Sequence, residues 1–120
     1  STATPAYDSF GEGLGLTAAL VRYFRYHALN RPEESRDVRA SPLLARSFKG
    51  LPPAFIQQAG FDPLKLDASR YAEALHKARV PVEMKVCSSL AHGFVHTAGV
   101  VRAARTALKE YAAAVAKLSG

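Results

Sequence analysis

The stretch LPPAFIQQAGFDPLKLD, residues 51–67, decides the fold predicted for this chain. Pro52 and Pro53 precede a short apolar run at residues 54–56, and an apolar run bounded by turn-forming residues is typical of a buried strand, which is predicted here at Ala54–Ala59. The residues GFDP at positions 60–63 then predict a sharp turn. Asp62 therefore follows the carboxyl end of a strand, which is where open α/β sheets place their ligand crevice.

A second strand is predicted at Val82–Cys87, where apolar and polar residues alternate. Between the two strands, apolar residues at helical spacing predict a helix from Ala68 to about Arg79, with Asp67 as its N-cap. A connection of this length fits a right-handed parallel crossover. Parallel pairing would place the loop residue His92, which follows the second strand, at the same end of the sheet as Asp62.

Two more helices are predicted outside this unit. The first runs from about Ala18 to Leu29 behind the N-cap Thr17, between a flexible lead-in at residues 1–15 and a polar loop at residues 30–50. The second runs from about Val100 to Leu118 and should pack through one apolar face. That face consists of Val101, Ala104, Leu108, Tyr111, Val115 and Leu118.

Two parallel strands provide too little surface to bury the apolar faces of three helices. The chain is therefore predicted to be the C-terminal part of a doubly wound α/β protein with an incomplete sheet. Residues 51–120 would form its β-α-β-α part, and residues 1–50 a helix and loop segment. Dimerisation through a strand edge and a small independent α/β module remain open as alternatives.

The composition is that of an ordinary globular protein, with 48% hydrophobic and 22% charged residues. No segment approaches the ~20 apolar residues of a membrane-spanning helix, so no membrane span is expected. The single cysteine, Cys87, excludes an internal disulfide and favours a reducing compartment. We therefore expect a cytoplasmic location.

The net charge of +6 raises nucleic acid as a partner. The arginines between residues 22 and 46 are, however, spread over a helix and a loop, and neither zinc-finger spacing nor an aromatic ribonucleoprotein motif accompanies them. We therefore expect a solvated basic face and no nucleic-acid partner.

Asp62 and His92 are the candidate catalytic residues. Neighbouring strands lie ~4.8 Å apart, so the loops that follow them can bring a carboxylate within hydrogen-bonding distance of an imidazole. In a serine hydrolase such a pair supplies the general base and the acid that orients it. The same spacing also fits a helix-capping aspartate and an exposed loop histidine, and spacing alone leaves both hypotheses open.

Several segments resemble, in order and in spacing, the C-terminal part of the hormone-sensitive-lipase-like esterases of the α/β-hydrolase fold. They are residues 41–45 (SPLLA), 50–54 (GLPPA), 51–64, 78–82 (ARVPV) and 92–94 (HGF). The resemblance implies an α/β fold that holds the last two parallel strands and about three helices of an incomplete sheet. It also implies a carboxylesterase or lipase with a Ser-Asp-His triad, with Asp62 as the acid, His92 as the base, and no metal or cofactor.

The sequence departs from the family pattern in several places. Leu66 stands where the family usually carries an acidic residue, and residues 88–90 (SSL) stand where it usually carries P-G-M. Neither a G-x-S-x-G nucleophile motif nor an H-G-G oxyanion motif occurs in the chain. Because the triad order in this fold is Ser, Asp, His, the expected partner is a missing upstream half that carries the nucleophile.

The leading hypothesis is hydrolysis of small-molecule carboxylic esters in a pocket roofed by residues 1–50. The predicted pocket residues are Leu16, Leu20, Phe24, Leu64 and Phe94. Two alternatives are a peptidase or amidase acting through the same Asp–His pair, and a non-catalytic binding module. The isolated segment is expected to be inactive and to be a homodimer, aggregated or marginally folded, because one sheet edge would lack a partner.

Overall fold

The computed structural model describes residues 4–119, in which four α-helices and a two-stranded sheet are arranged along the chain. Residues 1–3 and 120, which belong to the predicted segments 1–50 and 51–120, lie outside the described residues. The helices are α1 Pro5–Phe10, α2 Ala18–Ala28, α3 Lys65–Lys77 and α4 Arg102–Ser119, and the strands are β1 Ala54–Phe61 and β2 Val82–Ala91. Short 3-10 helices occupy Pro32–Arg36, Pro42–Leu44 and Phe94–Thr97.

Strands β1 and β2 pair in parallel, as the strand–helix–strand pattern predicts. The register begins with Ala54 opposite Val82. Both strands are longer than predicted, because the register shifts after Ala59 and pairing resumes between Phe61 and Ala91. The second strand therefore ends directly before the candidate histidine.

Gly60 lies inside β1 rather than in the turn that its sequence context predicts. A Cβ atom at this position would lie 2.2 Å from the backbone oxygen of Ser88. Any side chain would therefore force the strands apart, and a glycine in a strand often marks such a close approach or bulge. The absence of a side chain at Gly60 is what lets the sheet continue to the candidate site.

Helix α3 begins three residues earlier than predicted, and the prediction that Asp67 is its N-cap is wrong. The N-cap position is Leu64, which makes no side-chain capping bond. Instead, Oδ1 of Asp62 accepts a hydrogen bond of 2.8 Å from the backbone N–H of Leu64. Asp67 lies in the first turn of the helix, where a negative charge is favoured by the helix dipole.

The prediction of a flexible lead-in at residues 1–15 is wrong for helix α1. Pro5 occupies the first turn, where its missing N–H costs nothing, and Ala6 and Tyr7 are buried. The ring of Phe10 contacts Phe61 edge to face, with the centroids 6.0 Å apart. A helix of six residues is too short for its period to be recognised, and tertiary contacts rather than propensity stabilise it.

Helix α2 begins where the sequence predicts, with the Thr17 hydroxyl accepting a hydrogen bond of 3.1 Å from the Leu20 N–H. It contains no buried residue. Leu20 is 40% exposed and Phe24 is 55% exposed, and both are among the predicted pocket residues. In the described part of the chain, α2 therefore covers no core.

Helix α4 packs through a narrower face than predicted. Ala104 and Ala107 form a small core with Leu90 of β2. The larger residues of the predicted apolar face remain 38–46% exposed: Val101, Leu108, Tyr111, Val115 and Leu118. The predicted packing face is therefore only partly covered, because two strands are too narrow to cover a helix of 18 residues, although Tyr111 contacts Phe55 edge to face.

Candidate active site

Asp62 and His92 meet at the carboxyl end of the sheet. The Nδ1 atom of His92 lies 2.8 Å from Oδ2 of Asp62. An ionised carboxylate only accepts hydrogen bonds, so in this contact Nδ1 carries the proton and donates it. In the neutral ring, Nε2 is then the nitrogen that can accept a proton from another group. The structure thus brings together the two candidate catalytic residues in the geometry that a base and its orienting acid need.

The two members of the pair differ in exposure. The Asp62 side chain is 12% exposed and the His92 side chain is 40% exposed. One oxygen of the carboxylate accepts from Leu64 and the other contacts the imidazole. The carboxylate is therefore held at both oxygens, while the imidazole remains accessible to a reacting group.

Three features fix the backbone around His92. Its N–H donates a 3.3 Å hydrogen bond to the carbonyl oxygen of Phe61, the residue before Asp62. Gly93 follows with a φ of +73°, in the left-handed region that favours glycine. The carbonyl oxygen of Gly93 then accepts from the His96 N–H at 3.0 Å. The histidine is therefore tied to the aspartate through the main chain as well as through the side chains.

Two other titratable groups near the sheet are perturbed. Burial raises the pKa of the Tyr7 phenol, and the negative charges of Asp67 and Asp62 raise it further. The phenol thus stays neutral and protonated beside the acid. Burial also raises the pKa of the Cys87 thiol, so at neutral pH this residue is a poor thiolate nucleophile.

A wide cleft of about 1500 Å³ lies between α2, the 3-10 helices Pro32–Arg36 and Pro42–Leu44, and α3. Of the five predicted pocket residues, Phe24 and Leu64 line this cleft and the other three do not. Leu16 and Leu20 lie outside its lining, and Phe94 packs beside the small core of α4 and β2. Neither Asp62 nor His92 lines the cleft, although Leu64 follows the acid by two residues. Leu64 and Tyr7 therefore link the cleft to the acid: Leu64 donates its N–H to Asp62, and the charge of Asp62 raises the pKa of the Tyr7 phenol.

Helix α1, which is not predicted from the sequence, makes contacts beside the acid. Tyr7 lines the cleft, and the Phe10 ring lies between Phe61 and Lys65. The sequence carried one signal for this helix: Pro5 at an N1 position, followed by two aromatic residues three positions apart on one helical face.

Within residues 4–119, no group of three or more His, Cys, Asp and Glu side chains is placed to bind a metal ion. Over the same residues, no helix has both the length and the apolar character needed to cross a membrane.

Comparison with known proteins shows one family. The family model described as the α/β hydrolase fold matches residues 1–96. The carboxylic ester hydrolase LipN of Mycobacterium tuberculosis is 42% identical over 94 residues, which cover 78% of this chain and 25% of that protein. Human hormone-sensitive lipase is 28% identical over 106 residues, which cover 79% of this chain and 10% of that protein. The chain thus spans about a quarter of the length of LipN.

Solved structures agree with the sequence comparisons. The thermophilic and thermostable carboxylesterase EstE1, cloned from a metagenomic library, superposes with a TM-score of 0.89 at 36% identity. The match covers 93% of this chain and 38% of that chain. The two strands and their helices are therefore arranged as in a segment of a known esterase.

Proposed function

This chain belongs to the α/β-hydrolase fold family, among its hormone-sensitive-lipase-like esterases, and we propose that it supplies the acid and the base of a carboxylic ester hydrolase. The observation that carries the proposal is the 2.8 Å contact between His92 Nδ1 and Asp62 Oδ2 at the carboxyl end of the two parallel strands. The similarity to a carboxylic ester hydrolase and to a hormone-sensitive lipase supports ester hydrolysis as the reaction. The substrate class is a small-molecule carboxylic ester.

His92 acts as the general base in the proposed mechanism. Its Nε2 takes the proton of a serine hydroxyl as the serine oxygen attacks the ester carbonyl, and later returns that proton to the leaving alcohol. Asp62 keeps the Nδ1 proton in place and stabilises the imidazolium that forms. The hydrogen bond from the Leu64 N–H supports this role because it prevents the carboxylate from turning away from the ring.

The nucleophile and the oxyanion hole belong to another part of the enzyme in this proposal. No serine of residues 1–120 lies in a G-x-S-x-G motif. Without a serine to activate, Asp62 and His92 generate no alkoxide. Residues 1–120 on their own are therefore expected to be inactive towards esters.

Residues 1–50 form the roof of the substrate pocket in the same proposal. The support is the cleft between α2 and α3, whose apolar wall includes Phe24 on one side and Leu64 on the other. The acyl chain of the ester would lie in this cleft. Its carbonyl group would lie beyond Leu64, where Asp62 and His92 meet.

The proposal is tested by replacing His92 in the complete enzyme. The His92→Ala variant should lose ester hydrolysis by ~10⁶ in kcat, since removing the base of a serine triad costs about as much as removing the whole triad. His96→Ala is the matched control, because His96 is an exposed histidine on the adjacent 3-10 helix. It should keep normal turnover of a short p-nitrophenyl ester. Equal activity in the two variants would overturn the assignment of the base.

A further inference from the structure

Helix α1 lies against the turn that carries Asp62. We define this acid turn as residues 61–65. The ring of Phe10 contacts Phe61 edge to face at a centroid distance of 6.0 Å. The ammonium group of Lys65 lies 4.3 Å from the centroid of the same ring. One aromatic side chain thus contacts both ends of the acid turn, directly before the acid and three residues after it.

Both residues that Phe10 contacts are bonded through their backbones to the candidate catalytic pair. The Phe61 carbonyl oxygen accepts from the His92 N–H at 3.3 Å. The Lys65 N–H donates to the Asp62 carbonyl oxygen at 3.2 Å. A shift of the Phe10 ring would therefore reach the main chain of His92 through Phe61 and the main chain of Asp62 through Lys65.

Helix α1 is itself held in place. Tyr7 is 8% exposed, and its carbonyl oxygen accepts from the Gly11 N–H at 2.9 Å. The Gly11 carbonyl oxygen accepts in turn from the Ala18 N–H at the start of α2. Because a Cβ atom at Gly11 would lie 2.3 Å from the Tyr7 carbonyl oxygen, this junction has no room for a side chain. Phe10 therefore projects from a fixed support.

We propose that Phe10 is a positioning residue for the Asp62–His92 pair, acting through Phe61 and Lys65 at the two ends of the acid turn. The inference rests on the proposed function, since positioning changes a rate only where the pair is catalytic. Displacement of a catalytic group by about 1 Å can lower a rate by ~10²-fold. Loss of the Phe10 ring should therefore lower kcat by roughly 10-fold to 10²-fold while leaving KM close to its normal value.

The chain offers a matched control at the other end of β1. Phe55 contacts Tyr111 edge to face at the same centroid distance of 6.0 Å. Phe10→Ala and Phe55→Ala thus each remove one edge-to-face pair between β1 and a helix, but only the first pair lies beside the acid. In the complete enzyme, both variants should melt at a lower temperature, and only Phe10→Ala should lower kcat. Phe10→Tyr, which keeps the ring, should restore turnover.

Equal turnover of the two alanine variants would overturn the proposal, whether both are normal or both are lowered alike. If Phe10→Ala does not fold, Phe10→Leu takes its place, because it keeps apolar bulk and loses both ring contacts. The expected loss of kcat and the overturning result are the same for that variant.

A second measurement separates this proposal from the proposed function. The proton that His92 Nδ1 donates to Asp62 is expected to give a downfield NMR signal, which would be assigned by its absence in His92→Gln. The Phe10→Ala variant should shift or broaden this signal, and Phe55→Ala should not. An altered signal in an enzyme without His92-dependent esterase activity would support the positioning role and refute the proposed function. An unaltered signal and a normal kcat in an active esterase would refute the positioning role alone.

Discussion

The acid turn and helix α2 belong to one chain and are packed in opposite ways. In the acid turn, Asp62 as a whole residue is 8% exposed, and the Pro63 side chain is fully buried. In α2 no residue is buried, and Tyr26 is 78% exposed. The polar acid is thus better covered than the aromatic side chains of the helix. This order is the reverse of what hydrophobicity alone predicts.

The acid turn has its stabilising contacts within the described residues, and the apolar face of α2 does not. The acid turn is held by backbone hydrogen bonds and by contacts with α1, all within the described residues. An apolar helix face needs a second broad surface to cover it, and two strands supply little of one. The candidate catalytic pair is therefore locally complete, whereas the faces of α2 and α4 are not.

The largest effect on stability is expected at Leu75 of α3, and Phe24 of α2 is the residue with which it is compared. Leu75 is 1% exposed, so Leu75→Ala should lower the free energy of unfolding by ~2–5 kcal/mol. Phe24 is 55% exposed, so Phe24→Ala should change it by only ~0.5 kcal/mol. Urea denaturation of both variants of the same polypeptide checks the pair. An equal loss of unfolding free energy in the two variants would show that another part of the protein covers α2. The difference in packing between the acid turn and α2 would then not hold.

A smaller effect is expected at the close approach of the two strands. Gly60→Ala should destabilise the protein by ~1–3 kcal/mol, because its Cβ atom would overlap the backbone of Ser88. Gly99→Ala is the control, since no atom lies within 4 Å of a Cβ there. Its effect should stay within ~0.5 kcal/mol. Equal melting temperatures for the two variants would mean that the strands separate near the acid turn at little cost.

The smallest effect is expected on the preference between short and medium acyl esters. It follows from the proposal that α2 roofs the substrate pocket and is not part of the core. Phe24 lines the cleft and Leu20 does not, although both lie on one helix. Phe24→Ala should change the ratio of kcat/KM between short and medium acyl esters by roughly 10-fold. Leu20→Ala should leave that ratio unchanged. An identical profile for the two variants would assign the cleft a role other than acyl binding.

The sequence predicted the parallel strand pair and the meeting of Asp62 with His92, because both depend on local patterns. The apolar run before Asp62 and the alternation at residues 82–87 determine two strands, and parallel pairing then places their following loops at one edge. The N-cap of α3 was missed for a related reason. The Asp62 carboxylate accepts a hydrogen bond from the Leu64 N–H and also contacts the imidazole of His92. The sequence alone does not show whether Asp62 or Asp67 accepts from the first turn of the helix.

The features that could not be predicted depend on tertiary contacts. Helix α1 is short and owes its position to Tyr7 and Phe10, whose partners lie more than 50 residues later in the chain. The exposure of the large residues on α4 depends on how many strands are available to it. Periodicity shows which face of a helix is apolar, but it does not show what covers that face.

Asp62, rather than Asp67, is proposed to orient His92 for ester hydrolysis. The decisive measurement is kcat of the complete enzyme carrying Asp62→Asn, with Asp67→Asn as the matched control on the adjacent helix turn. The claim predicts that Asp62→Asn lowers kcat by ~10⁴ while the protein remains folded, because the imidazole then adopts the wrong tautomer. Asp67→Asn should remain close to normal. Near-normal turnover in Asp62→Asn together with a collapse in Asp67→Asn would contradict the claim.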